Sequence, residues 1–261
     1  MPTKRLPGVL ADADRQKSLP KLGGMARPNG VVIVSERFWA FATTDGGLFE
    51  GAMPARSLRV ARIPLVRGLL QLASSMAPLA RGRGVARGRE RFFILAALAL
   101  SFPLVALPAR LELPAALALS ALLLAWLFRG RTLRLHGAEH RAIAAAEQRR
   151  LEACWSGAAS PSRFSPRCGT NFAALALPVT VFAERLLPVA GASMAASMLA
   201  ALLALGVTME LWKAVQHPSG LLRGLLLPGL ALQRLTTREP ELADTRIALA
   251  AVASVLRREL V

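Results

Sequence analysis

Two of the chain's three histidines stand four residues apart, His136 and His140, with Glu139 between them. The stretch Leu135-His136-Gly137-Ala138-Glu139-His140-Arg141 runs on into Ala142-Ile143-Ala144-Ala145-Ala146-Glu147, a strong helix-forming sequence. On a helix, residues i and i+4 share a face about 6 Å apart along the axis. Two imidazoles so placed can bind one divalent metal. Glu139 stands where a general base acting on water would, and H-x-x-E-H is the inverted zinc-hydrolase motif. The competing reading is a chance histidine pair on a solvated helix.

A metal site needs at least a third ligand. Cys168 is a soft donor suited to zinc, and Arg167 with the helix start after it favours its thiolate; the alternative is a small buried residue. Glu210 closes the longest apolar run, where an ionisable group is a functional candidate by default. Its alternative is a pair with Arg185 or with Lys213, one helical turn away. Glu147 is only ~20° off the stripe of His136, but it lies ~10.5 Å of rise beyond His140. It is therefore a supporting or structural group. His217 lies two turns past Glu210, and Cys154 and Trp155 fall in a loop with no assigned role.

The elements that must position these residues are unusually apolar. Of 261 residues 54% are hydrophobic, mean hydropathy is +0.42, and the net charge is +17. Hydropathy and charge are thus segregated along the chain, which excludes disorder and argues against an ordinary soluble enzyme. Two cysteines are too few for a disulfide framework. With no tyrosine and few aromatics, a base-stacking surface is not expected, so no nucleic-acid partner is.

Four runs lack charge: Phe92–Ala109, Leu113–Phe128, Cys168–Ala183 and Leu186–Met209. A helix of ~20 apolar residues crosses the hydrocarbon core, and the last run meets that length. The 16-residue second and third runs would be only ~24 Å long, and either cross with help from their flanks or re-enter. The expected fold is mainly α: a polytopic membrane protein with about four transmembrane helices in two hairpins, plus a small N-terminal cytoplasmic β-element and interfacial helices. Residues 1–91 carry net +10, the loop 129–171 net +5 and the tail from 213 net +3. The positive-inside rule then puts both termini and the central loop in the cytoplasm, the protein in the bacterial inner membrane, and both cysteines in a reducing compartment as thiols. No cleavable signal opens the chain.

The expected organisation is a flexible N-terminus at 1–22, a cytoplasmic β-element and interfacial amphipathic helix at 23–90, and a first hairpin at 91–129. A cytoplasmic loop with the HGAEH helix comes next at 130–167, then a second hairpin at 168–213, and an interfacial segment with a C-terminal helix at 214–261. Val31–Val34 and Phe38–Thr43 read as strands, the second leading into a Thr44-Asp45-Gly46-Gly47 turn, with Ser57–Ala61 as a third strand. Ile63–Ala80 has polar residues at helical spacing, as an interfacial helix would. Arg81–Arg91 holds five arginines and one glutamate and points to anionic membrane lipids as partners. Pro240-Glu241 reads as a helix start.

Three segments in order, LHGAEHRAIAAAE at 135–147, PRCGTNF at 166–172 and PGLALQRLTTREP at 228–240, resemble the bacterial YqhQ family of membrane proteins of unknown function, described as predicted metal-dependent enzymes. RIPLVRGLLQL at 62–72 resembles that family's Pro-x-x-Arg-Gly segment, and the likeness runs from about Gly23 to the C-terminus. The resemblance implies functional roles for His136, Glu139, His140, Glu147, Arg167, Cys168, Gly169, Thr170 and Glu210. Two departures stand out. Ser165 occupies the place of a histidine in the family's His-Pro-Arg-Cys-Gly-Thr, and a glycine-rich N-terminal segment is cut down to Leu22-Gly23-Gly24-Met25.

The leading expectation is a metal-dependent enzyme, hydrolase- or peptidase-like, acting on a peptide or lipid-linked substrate. His136 and His140 are ligands to a divalent metal, zinc by preference, Cys168 or Glu210 completes the set, Glu139 is catalytic, and Glu147, Arg167 and Thr170 support them. The rival is a non-catalytic membrane scaffold or assembly factor that binds lipid or a protein partner, which Ser165 favours. A transporter is a third option, weak without an internal repeat.

Overall fold

The computed structural model describes residues 6–54, 63–75, 77–81, 85, 88, 91–92, 96, 108–127, 129–186, 194–216 and 221–260. Along the chain the elements are α1 (Leu6–Asp14), β1 (Gly23–Arg27), β2 (Gly30–Val34), β3 (Phe38–Thr43), β4 (Leu48–Ala52), α2 (Val66–Ser75), α3 (Ala77–Arg81), α4 (Ala109–Leu127), α5 (Thr132–Glu147), α6 (Leu151–Ser156), α7 (Gly169–Leu186), α8 (Met194–Val215), a 3-10 turn (Leu221–Leu226), α9 (Leu227–Thr236) and α10 (Leu242–Glu259). They divide into two compact units. The first comprises Met1–Met53, Ala77–Pro161 and Glu239–Val261, the second Pro54–Met76 and Ser162–Arg238.

The first unit is built on an antiparallel meander in the order β1-β2-β3-β4. Pro28-Asn29 alone separates the paired Arg27 and Gly30. At the β3–β4 turn Gly46 has φ +87°, and Thr43 bonds to Asp45 and to the Gly47 carbonyl. A positive φ suits glycine because it has no Cβ to clash. The sheet is covered on both faces, which is why Val31-Val32-Ile33-Val34 is apolar without alternation. Val31, Ile33, Ala40 and Ala42 share a core with Leu135, Ala138 and Ala142 of α5 and Leu249, Val252 and Leu256 of α10. Val32, Trp39 and Phe41 pack on the other side with Leu79 and Val85. Each large aliphatic side chain so buried contributes about 1.5–3 kcal/mol.

Helix α10 is fixed at both ends. Glu241 and Asp244 form a reciprocal capping box at its start. The wholly buried Asp244 also pairs with Arg131, and Arg134 with Glu241, which anchors the start of α5. At the other end Glu259 accepts from Ser35 and Arg37 at 2.6 and 2.8 Å, and Glu50 from Ser254 and Arg257. The sheet, α5 and α10 are thereby held as one block.

In the second unit α7 and α8 pack together, α9 lies on α7, and α2 lies on α8. Leu175, Val215 and Leu226 form its small core. Gly68 and Gly206 admit close approach: a Cβ on Gly68 would stand 2.6 Å from Met209, and one on Gly206 3.0 Å from Leu65.

Several expectations are corrected. The reading as a polytopic inner-membrane protein with four spans is overturned, because among the described residues no helix is long and apolar enough to cross a membrane. The apolar runs do not coincide with the helices. α4 begins before Leu113 and includes Arg110, Glu112 and Pro114, α7 runs through Pro178, Glu184 and Arg185, and α8 through Glu210 and Lys213. The multi-pass inner-membrane localisation fell with the spans it was inferred from. Residues 6–14 of the supposedly flexible terminus form a helix with Leu10 wholly buried, and Asp14 caps α6 by accepting from the Leu151 and Glu152 amides at 3.0 Å each. The strands at 31–34 and 38–43, the turn between β3 and β4, the HGAEH helix and the helix starting at Glu241 stand as expected. Ser57–Ala61 and most of Phe92–Ala109 lie outside the described residues.

Candidate metal centre

Helix α5 presents His136, Glu139 and His140 inward, and all three are buried. Alanines at 138, 142, 145 and 146 let the helix pack close to its neighbours. The two imidazoles meet edge to face with ring centroids 4.5 Å apart. Glu139 Oε2 lies 3.9 Å from His136 Nε2 and 4.0 Å from His140 Nε2. Burial pushes the Glu139 carboxyl up to about 8, so at neutral pH it holds its proton unless a cation comes near.

Cys168 immediately precedes the first residue of α7, and the Thr170 amide and hydroxyl donate to its Sγ at 3.4 and 3.2 Å. Two donors aimed at one sulfur suit an atom that carries negative charge. The segment before it is fixed by amide side chains. Gln233 accepts from the Ser165 amide at 2.9 Å and donates to its carbonyl at 2.7 Å, and Asn171 Nδ2 donates to the same carbonyl at 2.8 Å. The Arg167 amide donates to Ser165 Oγ. Ser165, standing where a histidine was expected, therefore serves to shape the turn.

Within the first unit, His136 and His140 thus form a buried pair with the Glu139 carboxyl between them. Two imidazole nitrogens at this spacing suit a divalent metal such as zinc.

The other anticipated residues have separate places. Glu210 pairs with Arg67 through both carboxylate oxygens and with Lys213 at 3.7 Å. Lys213 is a partner the spacing anticipated; Arg67, of the Pro-x-x-Arg-Gly segment, is not. These bonds, the Arg67 side chain foremost, hold the Glu210 carboxyl down to about 2. A carboxylate so depressed stabilises the fold above its unfolded value near 4.5, and that contribution disappears as pH falls from there toward 2. In urea unfolding, Glu210→Gln is expected to be less stable than wild type at pH 7 and to lose less between pH 5 and pH 2.5; parallel curves would remove this role. Glu147 is exposed at the end of α5. Burial draws the Arg167 guanidinium below its usual value and pushes the Cys154 thiol up. Gly24, Arg67, Asn171 and Gln233 lie in segments the resemblance singles out, but neither residue type nor spacing assigns them these partners.

The model of one protein family, described as a protein of unknown function (DUF1385), matches residues 128–258. Neither a curated protein nor a solved structure matches the chain.

Proposed function

The chain belongs to the DUF1385 family of unknown function, and from that premise we propose that it is a zinc-dependent hydrolase with His136 and His140 as ligands and Cys168, by its donor chemistry, as the third. The buried, edge-to-face imidazole pair on α5, with Glu139 Oε2 3.9 and 4.0 Å from its two Nε2 atoms, is the observation that supports it. A zinc ion held there supplies Lewis acidity toward a substrate oxygen and toward water. Glu139 Oε2, about equally distant from both imidazoles, takes the proton from the attacking water and returns it to the leaving group. Its elevated proton affinity suits this exchange, since a nearby cation brings a carboxyl of that kind into the range where it acts as a base near neutral pH. Thr170 steadies Cys168 by its two bonds to Sγ. The finer likeness to the YqhQ group rests on HGAEH, RCGT and LQRLTTREP occurring in that order.

The test is a screen of ester, amide and phosphoester substrates with zinc-loaded protein. Hydrolysis should be lost on chelation and return with zinc, and Glu139→Gln should lower kcat by about 10²-fold or more while leaving zinc bound. Activity that survives chelation, or a Glu139→Gln variant as active as wild type, would overturn the reading.

A second reading, a scaffold that seats a partner on apolar surface, draws on the second unit. Leu177, Phe182, Leu199, Leu227 and Leu235 are exposed there by 59–74%, and exposed apolar groups in number mark interaction surfaces. A stoichiometric partner that copurifies and is retained after chelation would favour it.

A further inference from the structure

The space into which Glu139 folds is left open by a glycine. Gly24 lies on β1, opposite Ile33 of β2. A Cβ built on Gly24 would stand 2.6 Å from Glu139 Cγ and from Oε1, and 2.9 Å from Cδ. Real Cβ atoms do not approach that closely, so any side chain at 24 must displace the carboxyl. Glu139 is 5% exposed, so its carboxyl must shift largely within a packed interior, where displacement costs stability. Its two oxygens have different surroundings: Oε1 lies 2.6 Å from where a Gly24 Cβ would stand, and Oε2 lies 3.9 and 4.0 Å from the two imidazole Nε2 atoms. The strand thus acts as a stop behind the carboxyl. Gly23 behaves differently, since a Cβ there would meet only Val34 Cγ2, at an ordinary 3.4 Å.

We propose that Gly24 is the positioning residue of the centre: its missing side chain creates the seat that sets Glu139 Oε2 against His136 and His140. The proposal rests on the metal reading for its functional consequence, but the seat itself is a property of the metal-free protein. It also gives the Gly-Gly pair in the shortened N-terminal segment a specific role, with the second glycine demanded by Glu139 and the first replaceable.

The experiment compares Gly23→Ala, Gly24→Ala, Glu139→Asp and the double variant Gly24→Ala/Glu139→Asp. Thermal unfolding is measured without metal, and zinc affinity by competition with a chromophoric chelator. Gly24→Ala should lower Tm and weaken zinc binding about 10-fold or more, as loss of groups that orient ligands does. Gly23→Ala should change neither. Glu139→Asp shortens the side chain by one methylene, so in the double variant it should recover part of the Tm lost to Gly24→Ala, a positive coupling the single changes cannot produce. Equal damage from Gly23→Ala and Gly24→Ala, or additive effects in the double variant, would overturn the seat. Wild-type protein that takes up no zinc while the Tm coupling persists would instead overturn the metal reading and leave the seat standing. Zinc binding unaffected by Gly24→Ala, with the coupling present, would overturn the link between seat and centre.

Discussion

Zinc affinity is expected to fall by at least 10²-fold when either His140 or Cys168 is replaced, His140→Ala and Cys168→Ser being the informative changes. Each removes one of the three proposed donors, and three is already the minimum for a zinc site that keeps an open position. The serine variant keeps the volume of Cys168 and the two Thr170 donors but replaces a soft anionic sulfur with a neutral hydroxyl. Cobalt is a convenient second probe. Its complex with wild type should show a thiolate-to-metal band in the near ultraviolet, which Cys168→Ser should abolish. Because histidine and thiol must both lose protons to bind, affinity should also rise with pH. A Cys168→Ser protein that binds zinc as tightly as wild type would remove the cysteine from the set.

The second large effect is on stability against pH. In metal-free protein the folded state holds the Glu139 proton up to about 8, whereas the unfolded chain releases it near 4.5. Between those values the folded state binds more protons than the unfolded one, so stability must fall as pH rises. The contribution is fully present below 4.5 and is lost by the time pH passes 8; a shift of this size amounts to roughly 5 kcal/mol. His136 and His140 face the same carboxyl. The difference between wild type and Glu139→Gln isolates the carboxyl. Urea unfolding in chelator should show Glu139→Gln gaining on wild type from pH 5 to pH 8.5, and zinc should reduce that gain by stabilising the carboxylate. A difference that stays flat with pH would mean the carboxyl is not held neutral.

The local parts of this structure were legible in the sequence, and the long-range parts were not. The i, i+4 spacing of His136 and His140 on an alanine-rich stretch identified α5 and its inward stripe. Pro240-Glu241 marked the start of α10, and Asp45-Gly46 the β3–β4 turn. β1 escaped because Gly23-Gly24 has no strand propensity; its pairing is set by the two-residue turn and by α5 behind it. The apolar runs end at charges, but the helices do not: α4, α7 and α8 run through Arg110, Glu184 and Glu210. Arg67 could not be matched to Glu210 across 143 residues, nor Gln233 to Ser165 across 68. Such pairings come from tertiary packing and leave no periodicity behind. Gly24 is the clearest case, since its role is defined by a side chain it lacks and a carboxyl more than a hundred residues away.

The measurement that bears most directly on the central claim is metal content by mass spectrometry, on full-length protein loaded with zinc and freed of excess by gel filtration, wild type beside His140→Ala. One zinc per chain in wild type and none in a folded His140→Ala protein is the predicted result. Zinc absent from a folded wild type, or retained equally by both, would contradict it.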